Sequence, residues 1–351
     1  MSKFGSERCS GIYGESHDRP LSVIVEGVPP GMALTESDIQ LGLNRRRPGQ
    51  SSITTPPKRK GPRHHPEWHR VWSHLGTPIG MLFRNEDQRP KDYGNSILDR
   101  FPRLSHASWT YLEKYGVKAS SGGGRSSARE TIARVAVGTL AENYLREAYG
   151  TEITTFTTSF LSVRCPHEES NKKMIDLISK FKERQDSVGD IVTCVIRNPP
   201  PLSLAHVMLR IPATKGFEIG SGFGGCEIPG SQHNDAFTKA PESELAADVQ
   251  RVGIRGSKLT TKSNYSGGIQ GGISNGVPIY YRVAFKPTAT MGQDQTTATY
   301  DGSEEGVLAA KGRHDSCVVP GVIPIVEAMA RHARHMTKSL LPPIKRENGK
   351  A

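Results

Sequence analysis

The sequence predicts an α+β fold on three observations. Runs such as "LSVIVEGV" and "DIVTCVIRN" are short, rich in β-branched residues and bounded by turn residues, as strands are. From 126 to 149, Ile132, Val135, Ala136, Leu140, Tyr144 and Leu145 recur at helical spacing, which predicts an amphipathic helix. The C-terminal half then turns glycine-rich and alternating, in "FEIGSGFGGCEIPG", "SGGIQGGISNGVPIYYRVAFKP" and "QTTATYDG", a pattern suited to antiparallel strands and tight loops around a ligand. The 351 residues suit one large domain or two small ones, and 37 glycines with 24 prolines argue for many loops rather than a helical bundle.

Taken in order, "LSVIVEGV" is a strand closed by a Pro-Gly turn, and "LTESDIQLGLNRRR" is a helix with Thr35 as its N-cap. Residues 57–75 fit no period, and 76–117 read as loops and short elements. After the helix of 126–149, a charged helix is expected around 170–185 and a strand at "DIVTCVIRN". A last helix is expected to begin near Pro324.

Composition narrows the function classes. No apolar run approaches the roughly 18 residues of a membrane span, and no secretory or transit segment precedes the first motif, so the expectation is a cytoplasmic protein without membrane contact. Five scattered cysteines without a CxxC fit reduced thiols and argue against a disulfide framework or a zinc site. The net charge of +11 fits nucleic acid or, equally, polyanionic metabolites.

"KASSGGGRSSARET" (118–131) places glycines, hydroxyls and two arginines where a helix begins. Helix N-termini attract anions, and Arg125 and Arg129 can fork onto phosphate or carboxylate oxygens. The same residues also read as a glycine loop capped by Ser126 or Ser127, with Glu130 closing a capping box. His17 in "YGESHD" and His106 in "SHASWTY" are candidate proton donors, though an ordinary surface-loop histidine is the plainer reading of "YGESHD". "NRRRPGQSS" ends a helix with Arg45, Arg46 and Arg47, of which at least one must be solvated. "KGRHDSC" sets Asp315 beside Arg313 and His314, either as a base of lowered pKa or as a structural ion pair. No metal or Walker pattern is present.

"GESH", "VPPGMALTESDIQ", "RRRPGQSSITTP", "GTPIGMLFRNEDQRPKDY", "SHASWTYLEKYG", "GGGRSSARET", "IPATKGFEIGSGF", "SGGIQGGISNG", "FKPTAT" and "GRHDSCVVP" follow one another in this order. Over residues 11–330 the sequence resembles the chorismate synthase family, in its fungal form. The resemblance implies a β-α-β sandwich in one large domain, residues 1–330, with 331–351 as a divergent tail. It implies a homotetramer that converts 5-enolpyruvylshikimate 3-phosphate to chorismate by 1,4-elimination of phosphate. It also implies reduced FMN as cofactor, without net redox change, and NADPH as reductant in fungal members.

By the same resemblance, His17 protonates the departing phosphate, His106 stabilises the reduced anionic flavin, and Asp315 assists removal of the substrate proton. Ser16, Arg46, Arg47, Arg129 and Asn275 would meet the substrate. Arg125, Ser126, Ser127, Gly271, Lys286, Thr288 and Arg313 would meet the flavin. Some positions depart from the family pattern: Asp18 and Ser108 stand where glycine and aspartate are expected, Gly321 replaces an arginine, and the segment at 198–206 is short. These departures leave a flavin-binding paralogue with impaired catalysis as an alternative. A basic RNA-binding protein using "RRR", "KRKGPRHH", Trp68 and Trp72 is another.

Residues 58–74, "KRKGPRHHPEWHRVWSH", hold four of the 12 histidines and two of the three tryptophans, between segments that match the family. With suitably chosen codons, reading one base later gives "SEKDRVTILSGTEFGV", an ordinary strand-bearing stretch that matches the family between "TTP" and "LGTPIG". We therefore expect residues 58–74 to be a translation in the wrong reading frame, which the coding sequence read directly from the source organism would show. If it encodes His64, His65, Trp68 and Trp72 in frame with the flanking motifs, a genuine insertion stands instead.

Overall fold

The computed structural model describes residues 3–4, 10–15, 20–46, 72–73, 75–84, 100–117, 124, 127–157, 168–197, 204–239, 259–271, 273–308 and 315–335. The first sheet comes from β1 (Lys3–Phe4), β2 (Ser10–Tyr13) and β3 (Pro20–Val25), with Leu21, Val23 and Val25 buried and the alternate residues facing out. The short β4 (Ala33–Leu34) leads into α1 (Glu36–Arg46). β5 (Trp72–Ser73) pairs with β4, and β6 (Ile79–Arg84) adds to β3, so the sheet order is β1-β2-β3-β6, antiparallel throughout. Of the stretch expected to be out of frame, only Trp72 and Ser73 are among the described residues.

Next come α2 (Ser108–Tyr115), a 3-10 turn at Ala128–Glu130, α3 (Thr131–Tyr149) and β7 (Glu152–Thr157). They are followed by α4 (Glu168–Glu183), β8 (Asp190–Arg197), α5 (Ala205–Leu209), β9 (Thr214–Ile219) and α6 (Gly230–His233). Two hairpins, β10 (Phe237–Lys239) with β11 (Leu259–Thr261) and β12 (Ile269–Gln270) with β13 (Ile273–Ser274), precede β14 (Ile279–Phe285). A third hairpin, β15 (Gln295–Ala298) with β16 (Glu305–Leu308), leads to α7 (Val319–His335). The second sheet is antiparallel in the order β7-β8-β14-β9.

The helices lie between the sheets. α3 touches β3 and packs along α7 and α1, while α7 touches β7 and β8. The fold is thus an α+β, β-α-β sandwich, as expected. Thr35 caps α1 as the sequence indicates: its Oγ1 accepts from Asp38 N–H at 3.3 Å, and Asp38 Oδ2 accepts from Thr35 N–H at 2.8 Å.

Three expectations need correction. The helix of 126–149 starts as a 3-10 turn capped by Ser127, whose Oγ accepts from Arg129 N–H at 3.2 Å, and becomes α-helical only at Thr131. Nor is it amphipathic over its first half. Residues 133–141 are buried on every side, because α3 is the middle of three layers. Its polar side chains find partners in the core: Thr139 Oγ1 donates to Val135 O at 2.9 Å, and Arg134 Nη1 donates to Arg210 O at 2.8 Å. Finally, the last helix begins at Val319, and Pro324 lies inside it. It also carries the buried Arg331 past the domain boundary expected at residue 330.

Close approach sets this helical layer. A Cβ on Gly138 would lie 2.5 Å from Ala328 Cα, and one on Gly42 would overlap the Thr139 side chain. Gly138→Ala is therefore expected to push α3 and α7 apart and cost about 1–3 kcal/mol. Urea unfolding measures this, and an unchanged midpoint would contradict the packing.

Candidate active site

Two cationic regions form, each at the end of a core element. The first surrounds the N-terminus of α3. Arg46, in the last turn of α1, donates from Nε to Thr131 Oγ1 at 3.0 Å and from Nη2 to Ala128 O. Arg129 lies close enough that, after burial, its charge is the second cause lowering Arg46 to about 10. Both guanidiniums remain charged at neutral pH. Two like charges held side by side at the positive end of a helix dipole favour an anion between them. Ser127 belongs to the same corner through its bond to Arg129 N–H.

The second region is an open cleft of about 500 Å³ bounded by Pro102, Arg103, His106, Trp109 and Thr297. Ser105, just before the histidine, holds φ at 52°, a conformation that strains a non-glycine residue. That turn offers the Ser105 carbonyl to Lys286 Nζ, across 181 residues of sequence. Arg103 Nη2 lies 3.2 Å from His106 Nδ1 and 3.1 Å from Nε2. Burial, then Arg103, then Lys286 lower the His106 pKa to about 3. Burial and the neighbouring Lys215 also lower Lys286 below the usual lysine range. At neutral pH the imidazole is uncharged, able to donate one N–H and accept at the other nitrogen.

Thr288, two residues beyond Lys286, donates from Oγ1 to Asp315 O at 2.8 Å. Val188 N–H donates to Ser316 O at 2.9 Å, so the segment before α7 is held both to the exit of β14 and to the entry of β8. The structure therefore brings together His106, Lys286, Thr288 and Asp315, with the Asp315 side chain exposed. It separately brings together Arg46, Ser127 and Arg129. Gly271 and Asn275 belong to the β12–β13 hairpin, where Gly271 holds φ at 57° and Asn275 Oδ1 accepts from Val277 N–H at 3.2 Å. Ser16, His17, Arg47, Arg125, Ser126 and Arg313 lie outside the described residues.

The sequence reading missed Arg103, although an arginine three residues before a loop histidine was a visible signal. It also missed Glu327, whose signal was a single carboxylate inside the apolar run "VIPIVEAMA". Glu327 Oε2 accepts from Arg45 Nη2 at 2.5 Å with its side chain only 2% exposed.

A three-layer sandwich with two cationic regions has the architecture of an enzyme domain, and those regions suit an anionic small molecule. The chain belongs to the chorismate synthase family, whose model matches residues 10–337. It is 56% identical to chorismate synthase from Neurospora crassa over 407 residues, covering 98% of this chain and 94% of that protein. It is 47% identical to the Schizosaccharomyces pombe chorismate synthase, with 97% and 99% covered. A crystal structure of a chorismate synthase superposes with a TM-score of 0.66 at 25% identity, covering 95% and 92% of the two chains. The 407-residue alignment exceeds the 351 residues of this chain, so it is bridged by gaps within this chain.

The depressed pKa of His106 makes a signed prediction. An unfolded histidine titrates near about 6.5. The contribution of the neutral folded ring is therefore complete above that pH and is lost as pH falls toward 3. His106→Gln should flatten the stability–pH curve across this window, and the His106 ring resonance should titrate near 3. A resonance titrating near 6.5 would contradict the arrangement.

Proposed function

We propose that this chain is a lyase that eliminates phosphate from 5-enolpyruvylshikimate 3-phosphate to give chorismate, a common step of aromatic amino-acid biosynthesis. The observation that carries this reading is the placement of Arg46 on Thr131 and Ala128 at the start of α3, beside Arg129. The substrate bears one phosphate and two carboxylates, and it needs such a preorganised cationic corner. In the reaction a C–O bond to phosphate and a C–H bond break, a new C=C bond forms, and there is no net redox change.

Arg46 and Arg129 hold the anionic groups and meet the charge that grows on the departing phosphate, which is where electrostatic preorganisation acts. His17 supplies the proton to that phosphate, with Ser16, Arg47 and Asn275 completing the substrate contacts. The donor set of the second cleft fits an anionic flavin: the Lys286 ammonium, the Arg103 guanidinium and the uncharged His106 ring, with Trp109 as an apolar wall. Arg125, Ser126, Ser127, Gly271, Lys286, Thr288 and Arg313 are assigned to holding FMN. Reduced FMN supplies the electron and proton chemistry when bound. His106 donates its N–H toward the negative charge of the cofactor, and the Asp315 carboxylate takes part in removing the substrate proton.

The finer attributes belong to the same proposal. Kinship with the fungal relatives supports NADPH as reductant of the flavin, a homotetramer and a cytoplasmic location. Among the described residues no helix is long and apolar enough to cross a membrane. The catalytic domain takes in the span expected at residues 1–330 and continues through the end of α7 at His335.

Purified protein supplied with reduced FMN and 5-enolpyruvylshikimate 3-phosphate is expected to release phosphate and chorismate. His17→Ala and His106→Ala should each lower turnover by roughly 10²–10⁴-fold while the protein stays folded. Parental turnover in either variant would remove that histidine from the mechanism. Flavin binding without turnover in the parent would favour the impaired paralogue.

A further inference from the structure

We propose that Arg45, held by the buried carboxylate of Glu327, is a positioning residue for Arg46, an inference that rests on Arg46 being a substrate-binding arginine. Arg45 and Arg46 are consecutive in the last turn of α1, so they leave the helix about 100° apart. Arg45 Nη2 meets Glu327 Oε2 at 2.5 Å on α7, and Arg46 reaches Thr131 and Ala128 at the start of α3. Clamping one fixes the helical rotation of the other.

Glu327 is itself held. Arg331, one turn later on α7, lies 3.6 Å from it and reaches Glu142 Oε1 on α3 at 2.8 Å. The side chains of Glu327 and Arg331 are 2% and 6% exposed. The four charges thus tie α1, α3 and α7 together beneath the corner that carries Arg46 and Arg129. A buried ion network is weak evidence for stability, because packed apolar residues of similar volume often serve as well. What it does supply is a single geometry. Here the fixed outcome is which way the last turn of α1 faces.

Arg45 is the residue to change, since its side chain is 31% exposed and Glu327 keeps Arg331 as a neighbour when it is truncated. Arg45→Met is expected to weaken binding of 5-enolpyruvylshikimate 3-phosphate by roughly tenfold, measured by calorimetry. Arg46→Met should weaken it at least as much, and the double variant should be no worse than Arg46→Met alone, because Arg45 acts through Arg46. Arg45→Lys, which keeps a cation for Glu327, should recover most of the affinity. Additive losses in the double variant, or parental affinity in Arg45→Met, would overturn the proposal. Glu327→Gln is the second variant if Arg45→Met does not fold, with the same loss expected. If the parent binds none of this substrate, the functional reading fails on its own. The positioning role is then decided by the crystal structure of Arg45→Met: Arg46 withdrawn from Thr131 supports it, and Arg46 still seated there overturns it.

Discussion

The approach of α3 to α7 at Gly138 and Ala328 is the constraint on which the sandwich depends. Both sheets send apolar side chains inward, and the helices between them must be thin enough to let both faces close on one layer. Glycine at 138 and a methyl at 328 allow this, and Gly42 does the same for α1 against Thr139. Once the helices are this close, their ends are fixed to within a side chain. The N-terminus of α3 and the C-terminus of α1 then meet, and that meeting is where Arg46 finds Thr131 and Ala128.

Electrostatics takes over where packing stops. Truncating Arg331 would take from the buried Glu327 carboxylate one of its two cations, at a cost of up to about 3–5 kcal/mol. At the cleft beside His106 the charges acting on the ring are all of one sign. Arg103 and Lys286 bring like charges to the His106 ring, and Lys215 does the same to Lys286, which favours an anion in the cleft.

Much of the fold was legible because local signals agreed with their surroundings. Thr35 announced the start of α1, and alternation in "IYYRVAF" announced β14, whose Ile279, Tyr281, Val283 and Phe285 are all buried. The start of α7 was misread because Pro324 normally marks an end or a beginning, and here tertiary packing on β7 and β8 carries the helix through it. The all-round burial of α3 was hidden by Arg134, Thr139 and Glu142. Arg134 and Glu142 look solvent-facing until their partners from elsewhere in the fold are known, and Thr139 until its bond back to Val135 O is. At the site, the residue types were readable as motifs, but their pairing was not. Lys286 and Ser105 are too far apart in sequence for spacing to join them, and Glu327 acquires its role only through a helix that begins near residue 36.

The central claim is that helix packing delivers Arg46 and Arg129 to the start of α3 as the receptor for the substrate's anionic groups. A crystal structure of the protein with FMN and 5-enolpyruvylshikimate 3-phosphate bound tests it most directly. Phosphate or carboxylate oxygens are expected within hydrogen-bonding distance of both guanidiniums, with Arg45 still on Glu327. A substrate seated elsewhere, with Arg46 and Arg129 turned to solvent, would contradict it.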